Sequence, residues 1–329
     1  MNRAPFISVI TPSLNRANLI GTAIESVLIQ HYEPYEHIVM DGGSTDGTLD
    51  LLKAHAHLRV VSEPDHGLYD ALNKGIALAR GEIIGQLNSD DRYEPGIFSS
   101  IAELFAQNPE VDAVSGGARV FERHATGEQT IKEYDGMTMN ELPYRATFGI
   151  PVFNAWFFRK RFLERIGPYS LEYPLLADRD FLIRCYLNKI KVMPLHSVVY
   201  HYFQHSGSLT IHSRRDLSPS HRTEILQLAQ KYMHSKSSDF VVKKNCAEWY
   251  DSNAIELVIT LVRQRQSIPA LKVVWSASRQ NPKWPFVVIM QSPGRVWSYI
   301  RVIIAGYDRA GMIIQSPRDP IPGFPRFRE

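Results

Sequence analysis

The first ninety residues alternate short apolar runs with segments of helical spacing. Phe6 to Thr11 (FISVIT), Glu36 to Met40, Leu58 to Ser62 and Glu82 to Leu87 are brief, largely apolar and rich in β-branched residues. Runs this short predict strands covered on both faces, as in parallel sheets. Between them, Leu19, Ile20, Ala23, Val27 and Leu28 form one helical stripe, and Leu49, Leu51 and Leu52 begin a second. Leu68, Leu72, Ile76 and Ala79 make a third, closed by Gly81. Strand and helix in regular alternation predict a doubly wound α/β sheet.

The pattern then loosens. Ile97 to Phe105 reads as a helix and Val111 to Phe121 as a strand, followed by a polar, hairpin-like stretch to about Asp135. Phe153 to Phe158 predicts a strand feeding a helix from Arg159 to Ile166. Asp178 to Leu187 predicts a helix and Lys191 to Tyr202 a strand. After Ser213 only helices are expected, punctuated by Pro269, Pro282, Pro285 and Pro293. The expected organisation is an α/β domain over residues 1–212, with halves 1–95 and 96–212. A helical region over 213–315 and a Pro- and Arg-rich, poorly ordered tail over 316–329 would follow.

At 329 residues and 44% hydrophobic content, the chain can bury one large core with material left for a smaller unit. Its two cysteines, Cys185 and Cys246, are far apart, which suggests no disulfide framework or zinc ribbon and fits a reducing, cytoplasmic setting. The N-terminal apolar stretch runs straight into a strand pattern, so a signal peptide is not expected. No window approaches the roughly 18 apolar residues needed to cross a bilayer.

The net charge of +3 hides an asymmetry. Residues 1–212 hold 19 Lys and Arg against 25 Asp and Glu, whereas residues 213–329 hold 18 against 9. A basic tail suits an anionic membrane surface, or is simply a solvated face; nucleic acid is not an expected partner. Within it, Arg295, Trp297, Tyr299, Ile300, Arg301, Ile303 and Ile304 form a basic, aromatic stretch. Such a stretch could lie in a membrane interface or pack against another helix.

Ligands of open α/β sheets sit at the carboxyl ends of the strands. The segments following the four strands are TPSLN (Thr11 to Asn15), DGGSTDGT (Asp41 to Thr48), EPDHG (Glu63 to Gly67) and NSDD (Asn88 to Asp91). Five aspartates thus gather at one sheet edge, although Ser44 and Asp46 have an alternative use as helix N-caps. No GxGxxG follows the first strand, and no GxxxxGK[ST] or HExxH occurs, which argues against dinucleotide binding, a P-loop ATPase and a zinc protease. An acidic edge suits a hard cation bound through oxygen, which in turn holds phosphates.

The runs ISVITPSLN, IVMDGGSTDGT and SEPDHGLYDALNKGIALARGEIIGQLNSDD resemble the family 2 glycosyltransferases, in particular the branch that builds bacterial exopolysaccharides and surface glycans. The resemblance covers roughly Phe6 to Ser208, with the four loops in the right order and spacing. It implies a GT-A-type fold, a nucleotide-diphosphate sugar donor (a UDP-sugar first), a divalent metal (Mn²⁺ or Mg²⁺) and a glycan or lipid-linked glycan acceptor. Thr11, Pro12, Ser13 and Asn15 would line the nucleotide pocket. Asp41 would contact the base or ribose, with Asp65 close to the base. Asn73 matches the donor-side asparagine. Asp90 and Asp91 match the acidic metal motif, with Asp91 the direct ligand and Asp90 nearer the ribose. Many members carry two acidic residues where this chain has Asp41 and Gly42.

The stretch ADRDFLIRC (Ala177 to Cys185) resembles the family's catalytic segment, commonly Glu-Asp, with Ala177 in the Glu place and Asp178 as the base. Inverting transfer needs such a carboxylate to take the acceptor proton, while the metal stabilises the leaving diphosphate. Read without the resemblance, Asp178 caps its helix and Asp180 pairs with Arg184 four residues on. His201 and His205 lie four apart in VYHYFQHSGSLT. In similar proteins a histidine near the place of His205 joins the metal or diphosphate. Asn154 and Trp156 in PVFNAWFF would lie near the acceptor, although Trp156 in an alternating strand is equally suited to the core. Two other readings compete: a catalytically silent nucleotide-sugar-binding scaffold, and a sugar-1-phosphate nucleotidyltransferase. The second expects a glycine-rich, basic loop after the first strand, and TPSLN is neither.

Overall fold

A computed structural model describes residues 4–150, 152–205 and 217–285. Four parallel strands open the fold: β1 (Ile7–Ser13), β2 (Tyr35–Asp41), β3 (Leu58–Ser62) and β4 (Ile83–Gln86), side by side in the order β3-β2-β1-β4. The helices α1 (Ile20–Leu28), α2 (Thr48–Lys53) and α3 (Leu68–Leu78) connect them. All of β1 is buried, as is the α1 stripe of Ile20, Ala23, Ile24 and Val27, which explains why these strands read as unbroken apolar runs.

β1 extends two residues past its expected end and sets Pro12 and Ser13 level with Met40 and Asp41 of β2. Pairing with β4 has by then stopped at Ile10, so Pro12 lies where β1 has an open side, the setting in which a strand tolerates proline. The first two functional loops therefore start at one height.

The rest of the sheet is β5 (Arg92–Tyr93), β6 (Ala113–His124), β7 (Gly127–Tyr134), β8 (Trp156–Arg159) and β9 (Val192–Phe203). β8 runs antiparallel between β4 and β6, β9 lies parallel to β6, and β5 closes the far edge antiparallel to β9. β6 pairs first with β8 and then, beyond a bend, with β7. Gly116 and Gly117 make that crossing possible. A Cβ on Gly116 would lie 2.2 Å from a Val199 methyl, and one on Gly117 2.7 Å from the Tyr134 carbonyl, where the β6–β9 register also shifts.

The remaining helices are α4 (Ile97–Gln107), α5 (Leu142–Thr147), α6 (Lys160–Ile166), α7 (Ala177–Leu187), α8 (Pro219–His234), α9 (Phe240–Arg263) and α10 (Ser267–Gln280). The chain divides into two compact units, residues 1–253 and 254–329. The first holds the whole sheet, and within it α7 is tied to α8 by the buried Asp180, which accepts from Lys231 Nζ at 2.9 Å and Tyr232 Oη at 2.8 Å. Among the described residues no helix is long and apolar enough to cross a membrane. The stretch from Arg295 to Ile304 and the tail 316–329 lie outside the described residues.

Candidate active site

The loops after β1 and β2 are laced together. Asn15, in left-handed backbone at φ 54°, donates its N–H to the Ser44 hydroxyl oxygen at 2.8 Å, while its side-chain oxygen accepts from the Thr45 N–H at 2.9 Å. Arg16 N–H donates to the Thr48 hydroxyl and Ala17 N–H to the Asp46 carboxylate. Asp46 also accepts from the Thr48 N–H, but the N-cap of α2 is Gly47, in left-handed backbone and without a side-chain capping bond, so neither Asp46 nor Ser44 caps that helix. The Thr48 hydroxyl first, and the Ala17 and Thr48 N–H groups with it, hold the Asp46 carboxyl below the usual range.

Asp41, at the end of β2, is almost fully buried. Its Oδ2 accepts from the N–H groups of Gly43 and Ser44 at 3.0 Å and from the Ser62 hydroxyl at 2.8 Å, and its Oδ1 accepts from the Ser44 hydroxyl. Asp41 thus clamps its own loop to β3. Beside it, a Cβ on Gly42 would lie 2.7 Å from Asp65 Oδ2. The missing side chain at position 42 is therefore the space that the Asp65 carboxylate occupies. Asp65 in turn accepts from the Gly67 N–H at 2.8 Å and stays half-exposed.

Beneath the loops, Thr11 Oγ1 meets His37 Nε2 at 2.9 Å, both residues fully buried. Burial drives the imidazole down to about 3, so it is neutral there. Thr11 and Pro12 therefore floor the site from within the core. Ser13 is the member of this strand end with an uncommitted group: its hydroxyl is buried without a hydrogen-bond partner.

Asn88 to Asp91 follow β4 and separate into two environments. Asp91 is buried, and both its oxygens are engaged: Oδ2 by the Tyr200 hydroxyl at 2.6 Å and Asn88 Nδ2 at 3.0 Å, Oδ1 by the Phe203 N–H at 2.8 Å. Burial first, and the neighbouring Asp90 second, push its carboxyl up. Asp90 is half-buried, and its Oδ2 lies 3.0 Å from His205 Nε2. His201 instead turns to Glu94 and is buried, with burial lowering its imidazole. No group of three or more His, Cys, Asp or Glu able to hold an ion occurs among the described residues. Asp90 and His205 form a pair of one oxygen and one nitrogen.

Asp178 lies in the first turn of α7, half-buried, with its Oδ1 accepting from the Arg179 N–H at 2.8 Å. Burial is the leading influence and pushes its carboxyl up, against the Arg179 charge and a hydrogen bond from Tyr69. Tyr69 belongs to the first turn of α3, four residues after Asp65. The helix that follows the Asp65 loop therefore brings Tyr69 beside Asp178. Asp180 pairs with Arg184, Nε to Oδ2 at 2.8 Å, as the spacing suggested.

Asn73 spends its amide on the loop before α7: Nδ2 donates to the Tyr169 carbonyl at 2.9 Å and Oδ1 accepts the Tyr169 N–H at 2.8 Å. Trp156 is fully buried, stacked on Phe158 and tilted against Phe153, so its ring is core and does not face an acceptor. A surface-lining role there is corrected by that packing. Asn154, two residues earlier, is half-buried. Sequence reasoning missed Tyr69, Tyr169 and Tyr200. Each acts through a contact between residues far apart in the chain, and nothing in local periodicity marks them.

The family model described as glycosyl transferase family 2 matches residues 8–167. A PGL/p-HBAD biosynthesis glycosyltransferase of Mycobacterium bovis is 32% identical over 211 residues, covering 62% of this chain and 79% of that protein. An uncharacterised glycosyltransferase of Nostoc is 25% identical over 295 residues, covering 85% of this chain and 89% of that protein. Among solved structures, S. aureus TarS 1-349 in complex with UDP-GlcNAc superposes with a TM-score of 0.53 at 18% identity, over 91% of this chain and 81% of that one. The mannosyltransferase PcManGT of Pyrobaculum calidifontis, in complex with GDP-Man and Mn²⁺, gives 0.53 at 18%, over 93% and 87%. These two likenesses bear out the GT-A-type fold. With the four loops assembled at one sheet edge and a relative this similar over most of its length, the chain belongs to glycosyl transferase family 2.

Proposed function

We propose that this glycosyltransferase moves a sugar, with inversion, from a nucleotide-diphosphate sugar to a hydroxyl of a glycan or lipid-linked glycan, and that Asp178 is the base. The observation that carries the reading is the setting of Asp178, half-buried in the first turn of α7 with its carboxyl raised by burial, beside Tyr69 of the helix that follows Asp65. A half-buried carboxylate with a raised proton affinity suits a group that must take a proton from a neutral hydroxyl. As the acceptor oxygen attacks the anomeric carbon and the bond to the diphosphate breaks, its proton passes to Asp178.

The donor would lie along the loops after β1 to β4. A UDP-sugar and a GDP-sugar are both seen in proteins of this fold, which supports a nucleotide sugar here and leaves the base to be measured. Ser13 Oγ, Asn15 and Asp65 present the polar groups of that edge, and Asp41 holds its shape. The half-exposed Asp65 carboxylate is the acid that would read the base, since it fills the space beside Asp41 that a side chain at position 42 would take.

A divalent cation fits the pair of Asp90 and His205, whose carboxylate and imidazole converge and are only partly buried. Mn²⁺ accepts both oxygen and nitrogen. Asp91, expected as the direct ligand, exchanges places with Asp90 in this proposal, because its oxygens already accept three hydrogen bonds. When bound, the cation would neutralise the charge that develops on the departing diphosphate. Asp91 would then hold the loop against β9 through Tyr200 and Phe203. The two buried, unpaired cysteines support a cytoplasmic setting.

A thermal-shift panel of nucleoside diphosphates, with and without Mn²⁺ or Mg²⁺, tests the donor half of this reading. A matching diphosphate stabilises the fold by mass action, and does so more strongly with metal. Equal shifts from every nucleotide, with no effect of metal, would remove the support for both.

A further inference from the structure

The second unit carries a feature that sugar transfer does not use. In α10, Ile268, Leu271 and Trp275 are 71%, 59% and 67% exposed. At 100° per residue they fall within a 60° arc, while the buried Ala270 and Ala277 lie on the opposite side. The helix thus packs through its small residues and turns its largest apolar side chains outward. Lys272 and Arg279 extend the exposed arc on one flank, and the Arg279 guanidinium sits 5.4 Å from the Trp275 ring centroid. α10 contains no acidic residue. From Leu257 to Tyr307 the sequence has seven Lys and Arg and not one Asp or Glu.

We propose that α10 docks the protein on an anionic lipid surface, with Ile268, Leu271 and Trp275 in the interfacial layer and Lys272 and Arg279 among the headgroups. An apolar stripe alone would suit any partner. The charge pattern selects this one, because basic residues beside Trp and aliphatic side chains match the anionic headgroup boundary. A second copy of the chain fits poorly: a two-fold contact through this stripe would set Lys272 and Arg279 against their own counterparts with no carboxylate between them. The proposal goes beyond sugar transfer and does not depend on it, so vesicle binding and catalysis fail separately.

The test is co-sedimentation of the full chain with phosphatidylcholine vesicles and with mixed phosphatidylcholine and phosphatidylglycerol vesicles, at low and raised salt. Binding to the mixed vesicles is expected, weakened by salt. A basic residue near an anionic surface is worth roughly a fivefold change in partitioning. Lys272→Ala with Arg279→Ala should therefore weaken binding by roughly 25-fold, and Leu271→Ser with Trp275→Ser should also weaken it, with turnover of a soluble acceptor unchanged. In case the serine variant misfolds, Trp275→Cys carrying a polarity-sensitive dye reads insertion directly, because Cys185 and Cys246 are buried. A blue shift on mixed vesicles alone supports the proposal. Equal binding by wild type and variants, equal binding to neutral vesicles, no dye shift, or a dimer that the serine variant converts to monomer would each overturn it.

Discussion

Asp178 and Asp180 sit two residues apart in α7, in opposite environments. Asp180 is buried and accepts from Arg184, Lys231 and Tyr232 at 2.8, 2.9 and 2.8 Å. Asp180→Asn removes the charge behind two ionic bonds, each worth about 1.5–3 kcal/mol. Lys231 is 40% exposed, which discounts its share, leaving roughly 2–4 kcal/mol in all. For a unit of this size that is a fall of roughly 5–15 °C in melting temperature.

Asp178→Asn should behave in the reverse manner. Its folded-state carboxyl is raised by burial, so its stabilising contribution is complete below the unfolded value and is lost as pH rises through the folded one. At neutral pH the ionised group is a cost that Asn removes, and the Asn oxygen can still accept from the Arg179 N–H. The variant should melt no lower than wild type and bind nucleotide normally, yet lose roughly 10²–10⁴-fold in transfer, the usual contribution of a general base. Paired melting curves, nucleotide shifts and single-turnover transfer would measure this. Transfer by Asp178→Asn within about tenfold of wild type, well short of a base's contribution, would refute the assignment.

Three further perturbations follow from the same geometry. Gly42→Ala places a Cβ 2.7 Å from Asp65 Oδ2, so the carboxylate must move; the donor KM should rise about 10–100-fold with little change in melting, and an unchanged donor KM would contradict the role given to Asp65. His205→Ala should weaken the metal-dependent part of the nucleotide thermal shift by about tenfold or more in apparent metal affinity, whereas loss of the metal-independent part would point to a folding role. Trp156→Ala should cost about 3–5 kcal/mol of stability by emptying a core site while leaving the acceptor KM of the folded fraction unchanged. The pH profile should show its acidic limb above the ordinary aspartate value of about 4, since Asp178 must be ionised to act.

The first half of the fold was legible because its signals are local. Four apolar runs and three helical stripes each carry their own period, and β3 falls on Leu58 to Ser62 as expected. β5 escaped because two residues have no period to detect, and α5 because it follows a polar hairpin and is only one and a half turns long. The strand expected from Phe153 begins only at Trp156, the preceding turn being a short 3₁₀ segment. At the site, the sequence placed the four loops at one sheet edge but could not say which atoms remain open. Asp90 and Asp91 are indistinguishable as letters, and only the Tyr200 hydroxyl and the Phe203 N–H, over a hundred residues later, decide which of them is spent. Asn73 is likewise a donor-side residue by position and a backbone clamp by its bonds.

These long-range bonds share one direction, which says how donor edge and base are kept in step. Gln86, at the end of β4, donates to the Tyr169 hydroxyl at 2.6 Å; the Tyr169 ring lies 5.4 Å from that of Tyr69; and Tyr69 reaches Asp178. Asn73 grips the Tyr169 backbone from the same helix that carries Tyr69. Asp178, the proposed base, is therefore positioned by the strand that leads into Asn88 to Asp91 and by the helix that leaves Asp65, not by α7 alone. Transfer needs the acceptor oxygen, anomeric carbon and leaving oxygen in line within a fraction of an ångström. A base fixed to both donor loops through buried aromatic rings meets that demand without requiring either loop to be rigid by itself.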